Sequence, residues 1–466
     1  MSRYQMLIIG GGPGGYETAI RLNQYGIECA VVESDRIGGV CLNWGCIPTK
    51  SILKSAELYA ELSSADEYGL PGMEVVLDYA KVFQRKNAIV EQLVSGVEFI
   101  FRKRGIPIIK GRARIIKAKG SGYEVQIEGS DPVEADYLII ATGTIPKELP
   151  GISIDEKSVL SSTGLLNLET LPVSLAVVGG GVIGCEFASI MNSFGVQTHI
   201  IEFLPRIIST EDAEISRRLS QAMKKAGISI VTGVGVQKIN RSDGGQELEL
   251  SDGKTLIVEK VLLSVGRTPQ ADLAWEGLEL KTDRGYIEID SMMRANLPNI
   301  YAIGDITGKL QLAHTASKQG LVVAAHIRSL IEDREFAYPT INYENIPRCT
   351  FTMPELASVG LTEAEAKEKF GEIRVGKFPF SANGKAMAMS QTFGLVKTIA
   401  RADNSTLVGM HVIGGGATEL IAQGAILISL GARDDAAEEI VFAHPTLSEA
   451  VKESLEDLNK LSINKI

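Results

Sequence analysis

The chain has 466 residues, with 47 Lys+Arg against 57 Asp+Glu for a formal net charge of −10, and it is 45% hydrophobic. Those values are ordinary for a globular protein with room for about three domains of roughly 150 residues each. The acidity argues against the broad basic footprint of a nucleic-acid binder and against attachment to anionic lipid. No uninterrupted apolar run reaches the roughly 18 residues of a membrane span, and five scattered cysteines fit a reducing compartment better than a secreted disulfide framework.

Met6-Leu7-Ile8-Ile9 predicts a buried strand. It runs into Gly10-Gly11-Gly12-Pro13-Gly14-Gly15, then a helical stretch from Tyr16 to Gly26 and a second strand from Glu28 to Val32 that ends at Glu33. In the spacing Gly10-x-Gly12-x-x-Gly15 the first glycine permits the turn and the second lets a diphosphate approach the backbone. The third lets helix pack on strand, and the helix N-terminus favours the anion. Glu33, 21 positions after Gly12, stands where a carboxylate accepts from ribose hydroxyls.

Next comes Gly38-Gly39-Val40-Cys41-Leu42-Asn43-Trp44-Gly45-Cys46-Ile47-Pro48-Thr49-Lys50, followed by a helical run to about Leu62. A compact turn brings cysteines at this spacing to the Cα separation of roughly 5.5 Å that a disulfide needs. A helix N-terminus beside them would stabilise a thiolate. Two inert buried thiols are the competing reading. A metal site is another, but the five histidines form no ligand-spaced cluster with the pair, so no metal is expected.

A partly basic helix is predicted over Tyr79 to Arg104, and a strand over Tyr137 to Ile140 leads into Ala141-Thr142-Gly143. The opening grammar then repeats: strand Leu175 to Val178, Gly179-x-Gly181-x-x-Gly184, a helix from Glu186 to Gly195, and a strand from Thr198 to Ile201 ending at Glu202. Gly12 and Gly181 are 169 positions apart, as are Glu33 and Glu202, which reads as two copies of one nucleotide-binding unit. A carboxylate at Glu202 favours a free 2′-hydroxyl and repels a 2′-phosphate, so the second unit should take NAD rather than NADP; the nearby Arg206 is weak evidence for phosphate. Strands over Val261 to Leu263, before Gly266-Arg267, and over Ile300 to Ile303, before Gly304-Asp305, precede a helix from Gln311 to Ile331. Beyond Tyr343 short strands (Ala357 to Gly360, Glu372 to Phe378, Gly394 to Ile399, Leu407 to Val412) and helices (Ala417 to Leu430, Leu447 to Asn459) read as an α+β domain. The fold class is α/β, with two Rossmann-like nucleotide-binding domains and a C-terminal α+β domain.

The motif at 38–50, together with Tyr301-Ala302-Ile303-Gly304-Asp305 and Ala443-His444-Pro445-Thr446-Leu447-Ser448-Glu449, resembles the flavin-dependent pyridine nucleotide–disulfide oxidoreductases, in their lipoamide-oxidising branch, across essentially the whole chain. The resemblance implies an FAD-binding domain over 1–147, an NAD-binding domain over 148–270, a central part over 271–342 completing the FAD region, and an interface domain over 343–466. One non-covalent FAD per subunit would rest on Gly10, Gly12 and Gly15, with Glu33, Lys50, Gly143 and Asp305 also in its site. NAD would rest on Gly179, Gly181, Gly184 and Glu202, beside Gly266.

By the same resemblance Cys41 and Cys46 form a redox-active disulfide, with Cys41 the interchange sulfur and Cys46 the one facing the flavin. His444, oriented by Glu449, is the base, and Lys50 pairs with Glu186 beside the flavin. The implied reaction is oxidation of protein-bound dihydrolipoamide to lipoamide with reduction of NAD+ to NADH, in a homodimer whose composite active sites take His444 from the partner chain. The lipoyl group would arrive on a protein of a 2-oxoacid dehydrogenase complex or a glycine-cleavage system. The implied location is the bacterial cytoplasm, or the mitochondrial matrix if a leader has been removed. Glutathione- and trypanothione-reducing relatives carry arginines after the second nucleotide strand, where this chain has Glu202. Mercuric and large thioredoxin reductases carry a C-terminal cysteine pair, which the last six residues here lack. Another NAD-linked disulfide reductase, or a non-catalytic flavin scaffold, are the remaining alternatives.

Overall fold

The structure is a computed structural model that describes residues 2–71, 75–271, 273–333 and 341–465. It divides into two compact units. One comprises Met1–Ile52, Ala80–Lys147 and Gly266–Tyr343; the other comprises Leu53–Tyr79, Glu148–Val265 and Glu344–Ile466.

The first unit is built on an eight-stranded sheet whose parallel core runs Ile108–Lys110, Cys29–Glu33, Ser2–Ile9, Val133–Ile140. Met6, Leu7 and Ile8 are wholly buried, because a parallel strand covered on both faces must be apolar on both. Val133–Ile140 forks. Its first half pairs antiparallel with Gly122–Ile127, while Leu138, Ile139 and Ile140 pair in parallel with Ile300–Ala302. The segment around Gly304 is thereby drawn into the nucleotide fold despite its distance in sequence. The helix Pro13–Gln24 starts three residues before the predicted Tyr16, since a proline in the first turn has no N–H to leave unpaired and already has a helical φ. The long helix Tyr79–Arg104 buries Val90, Val94, Val97 and Phe101, a stripe at spacings of four, three and four that packs into the core.

The second unit holds three sheets. A parallel one runs Ser229–Thr232, Gln197–Glu202, Ser174–Val178, Lys260–Leu263, Val159–Leu160. A three-stranded antiparallel sheet, Val236–Ser242, Gly245–Leu250 and Thr255–Val258, stands beside it. The C-terminal sheet is antiparallel in the order Arg348–Thr350, Leu356–Gly360, Leu407–Ile413, Leu395–Arg401, Ile373–Pro379. Helices Ala417–Ser429 and Glu449–Glu456 contribute to its core through Leu420, Ile421, Val451 and Leu455. The helix Glu363–Phe370 was not anticipated, although Thr362 and Glu365 close a capping box at its start. No helix among the described residues is long and apolar enough to cross a membrane.

Candidate active site

The first glycine loop leaves the strand Ser2–Ile9 and enters the helix Pro13–Gln24 with Gly12 as N-cap. Two of its glycines are required by the chain itself. A Cβ on Gly10, whose φ is +112°, would lie 2.2 Å from Ala141 O, and one on Gly15 would lie 1.9 Å from Gly10 O. Gly12 is different: a Cβ there would meet nothing closer than Gly39 Cα at 4.0 Å. The backbone is therefore bare where nothing in the protein demands it, at a helix N-terminus with unpaired N–H groups, which fits a diphosphate. Glu33 accepts from Gly11 N at 2.7 Å with one carboxylate oxygen and from Asp35 N at 2.8 Å with the other. It holds the loop in place, and each oxygen keeps a lone pair for a ribose hydroxyl.

The cysteine segment is pressed against this loop. A Cβ on Gly39 would sit 2.6 Å from Gly12 Cα, so the short helix Gly39–Trp44 approaches the cradle as closely as two glycines allow. Buried Asn43 pins the turn by donating to Ile37 O at 3.1 Å and Gly39 O at 3.0 Å. Cys41 is carried on that short helix, and Cys46 is the first residue of the helix Cys46–Ser63. The two stand as free thiols, hydrogen-bonded to each other. The bond to Cys46 pushes the Cys41 thiol far up, burial adds to it, the Lys50 charge opposes it, and Glu17 adds a smaller rise. Cys46 opens the helix Cys46–Ser63, at the end that stabilises a thiolate.

Asp305 lies in the turn Gly304–Thr307 just beyond Ile300–Ala302. Burial raises its carboxyl, opposed by a hydrogen bond from the Thr144 hydroxyl at 2.8 Å and by the charge of Arg267. Arg267 donates to Thr144 Oγ1 and to Thr144 O, both at 2.6 Å. Burial lowers this guanidinium, and Asp305 and then Cys46 act on it in the opposite sense, so it lies within electrostatic reach of that sulfur. Thr144 and Arg267 directly follow Gly143 and Gly266, the residues singled out from the sequence. Their meeting depends on the two-stranded ribbon of Thr144–Pro146 with Arg267–Pro269, across which Gln270 N donates to Gly143 O and Lys147 N to Gly266 O. The glycines marked the place, but the polar residues beside them were missed.

In the second unit the repeat reproduces the first. A Cβ on Gly179, φ +106°, would lie 2.5 Å from Ser264 O, one on Gly184 would lie 2.1 Å from Gly179 O, and one on Gly181 would meet nothing within 4 Å. Glu202 accepts from Gly180 N at 2.5 Å and Leu204 N at 2.7 Å, matching Glu33. Arg206 donates to Ser209 O at 2.7 Å and Glu211 O at 3.2 Å, so its guanidinium is tied to its own loop. Glu186, 5% exposed on the helix Val182–Ser193, accepts from Phe351 N at 2.9 Å.

His444 and Glu449 are adjacent, with Nδ1 2.8 Å from Oε1, and the His444–Pro445 bond is cis. Glu449 also accepts from Thr446 N at 2.9 Å. The imidazole is 78% exposed, so one ring nitrogen is held by a carboxylate while the ring faces outward. A tautomer held in this way leaves the second nitrogen free to accept a proton. Among the described residues no cluster of His, Cys, Asp and Glu could hold a metal ion.

A family model described as pyridine nucleotide-disulphide oxidoreductase matches residues 4–320, and the dimerisation domain of the same family matches residues 346–455. A dihydrolipoyl dehydrogenase of Bacillus subtilis is 39% identical, covering 97% of this chain and 97% of its own length. One from Corynebacterium glutamicum is also 39% identical and covers 99% of both chains. Among solved structures, the HOCl-induced flavoprotein disulfide reductase RclA from Escherichia coli superposes with a TM-score of 0.84 at 27% identity, covering 97% of this chain and 99% of that one. LpdA from Mycobacterium tuberculosis superposes with a TM-score of 0.88 at 24% identity, covering 98% and 100%, a likeness of fold.

Proposed function

This chain belongs to the pyridine nucleotide-disulphide oxidoreductases, and from that premise we propose that it oxidises protein-bound dihydrolipoamide to lipoamide and reduces NAD+ to NADH. The observation that carries this reading is the Cys41–Cys46 pair, carried on a short helix and a helix start that press against the first glycine loop, where a Cβ on Gly39 would lie 2.6 Å from Gly12 Cα. The full-length relatives named dihydrolipoyl dehydrogenase support the substrate.

The first cradle suits FAD, with Gly10, Gly12 and Gly15 at the diphosphate, Glu33 at the adenosine ribose, and Gly143, Lys50 and the Asp305–Thr144–Arg267 group along the rest of the site. The second suits NAD, with Gly179, Gly181 and Gly184 at its diphosphate, Glu202 at the ribose and Gly266 nearby. Glu202 and the loop-bound Arg206 leave a 2′-phosphate without a partner, which favours NAD over NADP. When bound, FAD supplies the two-electron relay between the cysteine pair and the nicotinamide.

The remaining chemistry belongs to the chain's own residues. A substrate thiolate attacks Cys41 in the oxidised pair; the Cys41–Cys46 bond breaks and Cys46 leaves as a thiolate at its helix N-terminus. The second substrate thiol then attacks the substrate sulfur joined to Cys41. This closes the oxidised lipoyl ring, releases Cys41 and leaves two electrons on the cysteine pair. His444, oriented by Glu449, takes the substrate proton. By the family resemblance, Lys50 and Glu186 are proposed as further residues of the flavin site.

The dimerisation domain and the exposed apolar residues of the C-terminal segment, among them Leu430 at 80%, Val441 at 96% and Ile463 at 75%, support a homodimer. In that dimer the exposed His444 would serve the partner's cysteine pair, and the lipoyl group would arrive on a protein of a 2-oxoacid dehydrogenase complex or a glycine-cleavage system. Five cysteines, of which only Cys41 and Cys46 are close in sequence, suit a reducing setting such as the bacterial cytoplasm.

Anaerobic titration of the flavin-loaded protein with dihydrolipoamide, then with NAD+ or NADP+, tests the reading. Two-electron reduction followed by NADH formation, with little NADPH, is expected; a flavin that dihydrolipoamide leaves oxidised would overturn it.

A further inference from the structure

The C-terminal sheet carries a row of polar residues, one from each of its five strands. In register they are Arg348 opposite Ser358, Ser358 opposite His411, His411 opposite Lys397, and Lys397 opposite Lys377. Residues paired across strands share one face of a sheet. This face meets the acidic stretch Glu211, Asp212 and Glu214, which opens the helix Ala213–Lys225 behind the second nucleotide loop.

The fit is close. Glu211 accepts from Arg348 Nε at 3.0 Å and from the Ser358 hydroxyl. Asp212 caps the helix by accepting from Glu214 N at 3.0 Å and takes Lys397 Nζ at 2.9 and 3.0 Å on its two oxygens. Lys397 also reaches Glu363 at 2.9 Å, and Lys377 reaches Glu214 at 2.7 Å. Glu211, Asp212 and Lys397 are each only 2% exposed, and His411 is wholly buried with Nε2 3.0 Å from Leu361 O. Burying several ions is costly unless each finds a partner, and removing one partner leaves the others uncompensated.

The acidic stretch is joined directly to the coenzyme loop. Ile208, four residues before Asp212, donates its N–H to Gly180 O at 2.7 Å, and Gly180 is the residue whose N–H Glu202 receives. Ser216 holds Ile207 O at 2.6 Å. The segment that follows Glu202 is thus anchored at one end on the glycine loop and at the other on the polar row.

We propose that this row is a positioning device for the nicotinamide coenzyme, with Lys397 as its central residue. It sets where the Gly180 loop and Glu202 stand and so governs coenzyme affinity without touching the thiol chemistry. The inference rests on the second cradle being the NAD site. Losing the Lys397 cation leaves buried Asp212 without its ion-pair partner, while Glu363 keeps Lys367 at 2.6 Å, and the segment is expected to shift away from the sheet.

In the flavin-loaded enzyme, Lys397→Met is expected to weaken NADH binding, read by fluorescence titration, and to raise KM for NAD+ by roughly 2- to 30-fold, the span of networked substitutions remote from a ligand. The rate at which dihydrolipoamide reduces the flavin without coenzyme is expected to stay at the wild-type value, and Lys397→Arg to restore most of the affinity. If Lys397→Met does not fold, Arg348→Gln, which loosens Glu211 at the sheet edge, is expected to show the same selective loss. Unchanged coenzyme affinity, or an equal fall in both half-reactions, would overturn the proposal. Failure of the wild-type enzyme to bind NADH at all would instead sink the assignment of the second cradle.

Discussion

Glu449 receives Thr446 N–H at 2.9 Å and His444 Nδ1 at 2.8 Å. Burial raises its carboxyl, but these bonds and the neighbouring charges outweigh that, and its pKa lies below the ordinary 4.5. The depression sets the sign: the carboxylate's hold on His444 is complete above about pH 4.5 and fades only as pH falls through the lower folded value. Glu449→Gln removes the charge and keeps the size, so the dihydrolipoamide half-reaction is expected to slow by about 10²-fold, while flavin reduction by NADH is retained. Stopped-flow measurement of the two half-reactions checks this, and equal rates in variant and wild type would deny Glu449 its orienting role. This pair was legible only through the family motif over residues 443–449, since His444 read alone is an ordinary surface histidine. Thr144, Arg267 and Asp305 were not read as a group, since only a ribbon joining distant segments brings them together.

The glycine loops show at element scale how one residue type serves two ends. Gly184 is demanded by packing, because a Cβ there would lie 2.1 Å from Gly179 O, whereas Gly181 faces space. The two substitutions should therefore separate. Gly184→Ala is expected to cost stability by about 1–3 kcal/mol through overpacking, seen as a lowered Tm. Gly181→Ala is expected to keep Tm and flavin content but weaken NADH binding, and a Gly181→Ala protein that binds NADH normally would argue against a diphosphate at that loop. Strands and helices with a strong apolar period were read close to their observed bounds, such as Tyr79–Arg104. The sheet of Val236–Ser242, Gly245–Leu250 and Thr255–Val258 was not: Leu248 and Leu250 alternate with Glu247 and Glu249 over a single short strand, and a register shift after Val236 breaks the period of the first.

At the scale of the whole molecule, Met387, Ile426, Leu430, Val441, Leu461 and Ile463 are all more than half exposed in the C-terminal segment. Charged replacements at Leu430 and Val441 together are expected to give a monomer by sedimentation. That monomer should keep its flavin and its reduction by NADH but lose dihydrolipoamide oxidation, because His444 would no longer meet a partner's cysteines. A monomer that oxidises dihydrolipoamide at the wild-type rate would refute the composite site.

Read as residues alone, the chain marks both glycine loops, their acids and the close cysteine pair, and the family motif adds His444 and Glu449. The glycine triplets, the cysteine pair and the His444–Glu449 couple are short segments, and the acids follow from the regular length of a strand–helix–strand unit. It took the folded chain to bring Arg267 to Thr144, to set Glu33 and Glu202 as braces of their own loops, and to align Arg348, Ser358, His411, Lys397 and Lys377 from five strands against the acids at 211–214. Those contacts depend on strand register and chain crossing, which no local pattern of residues encodes.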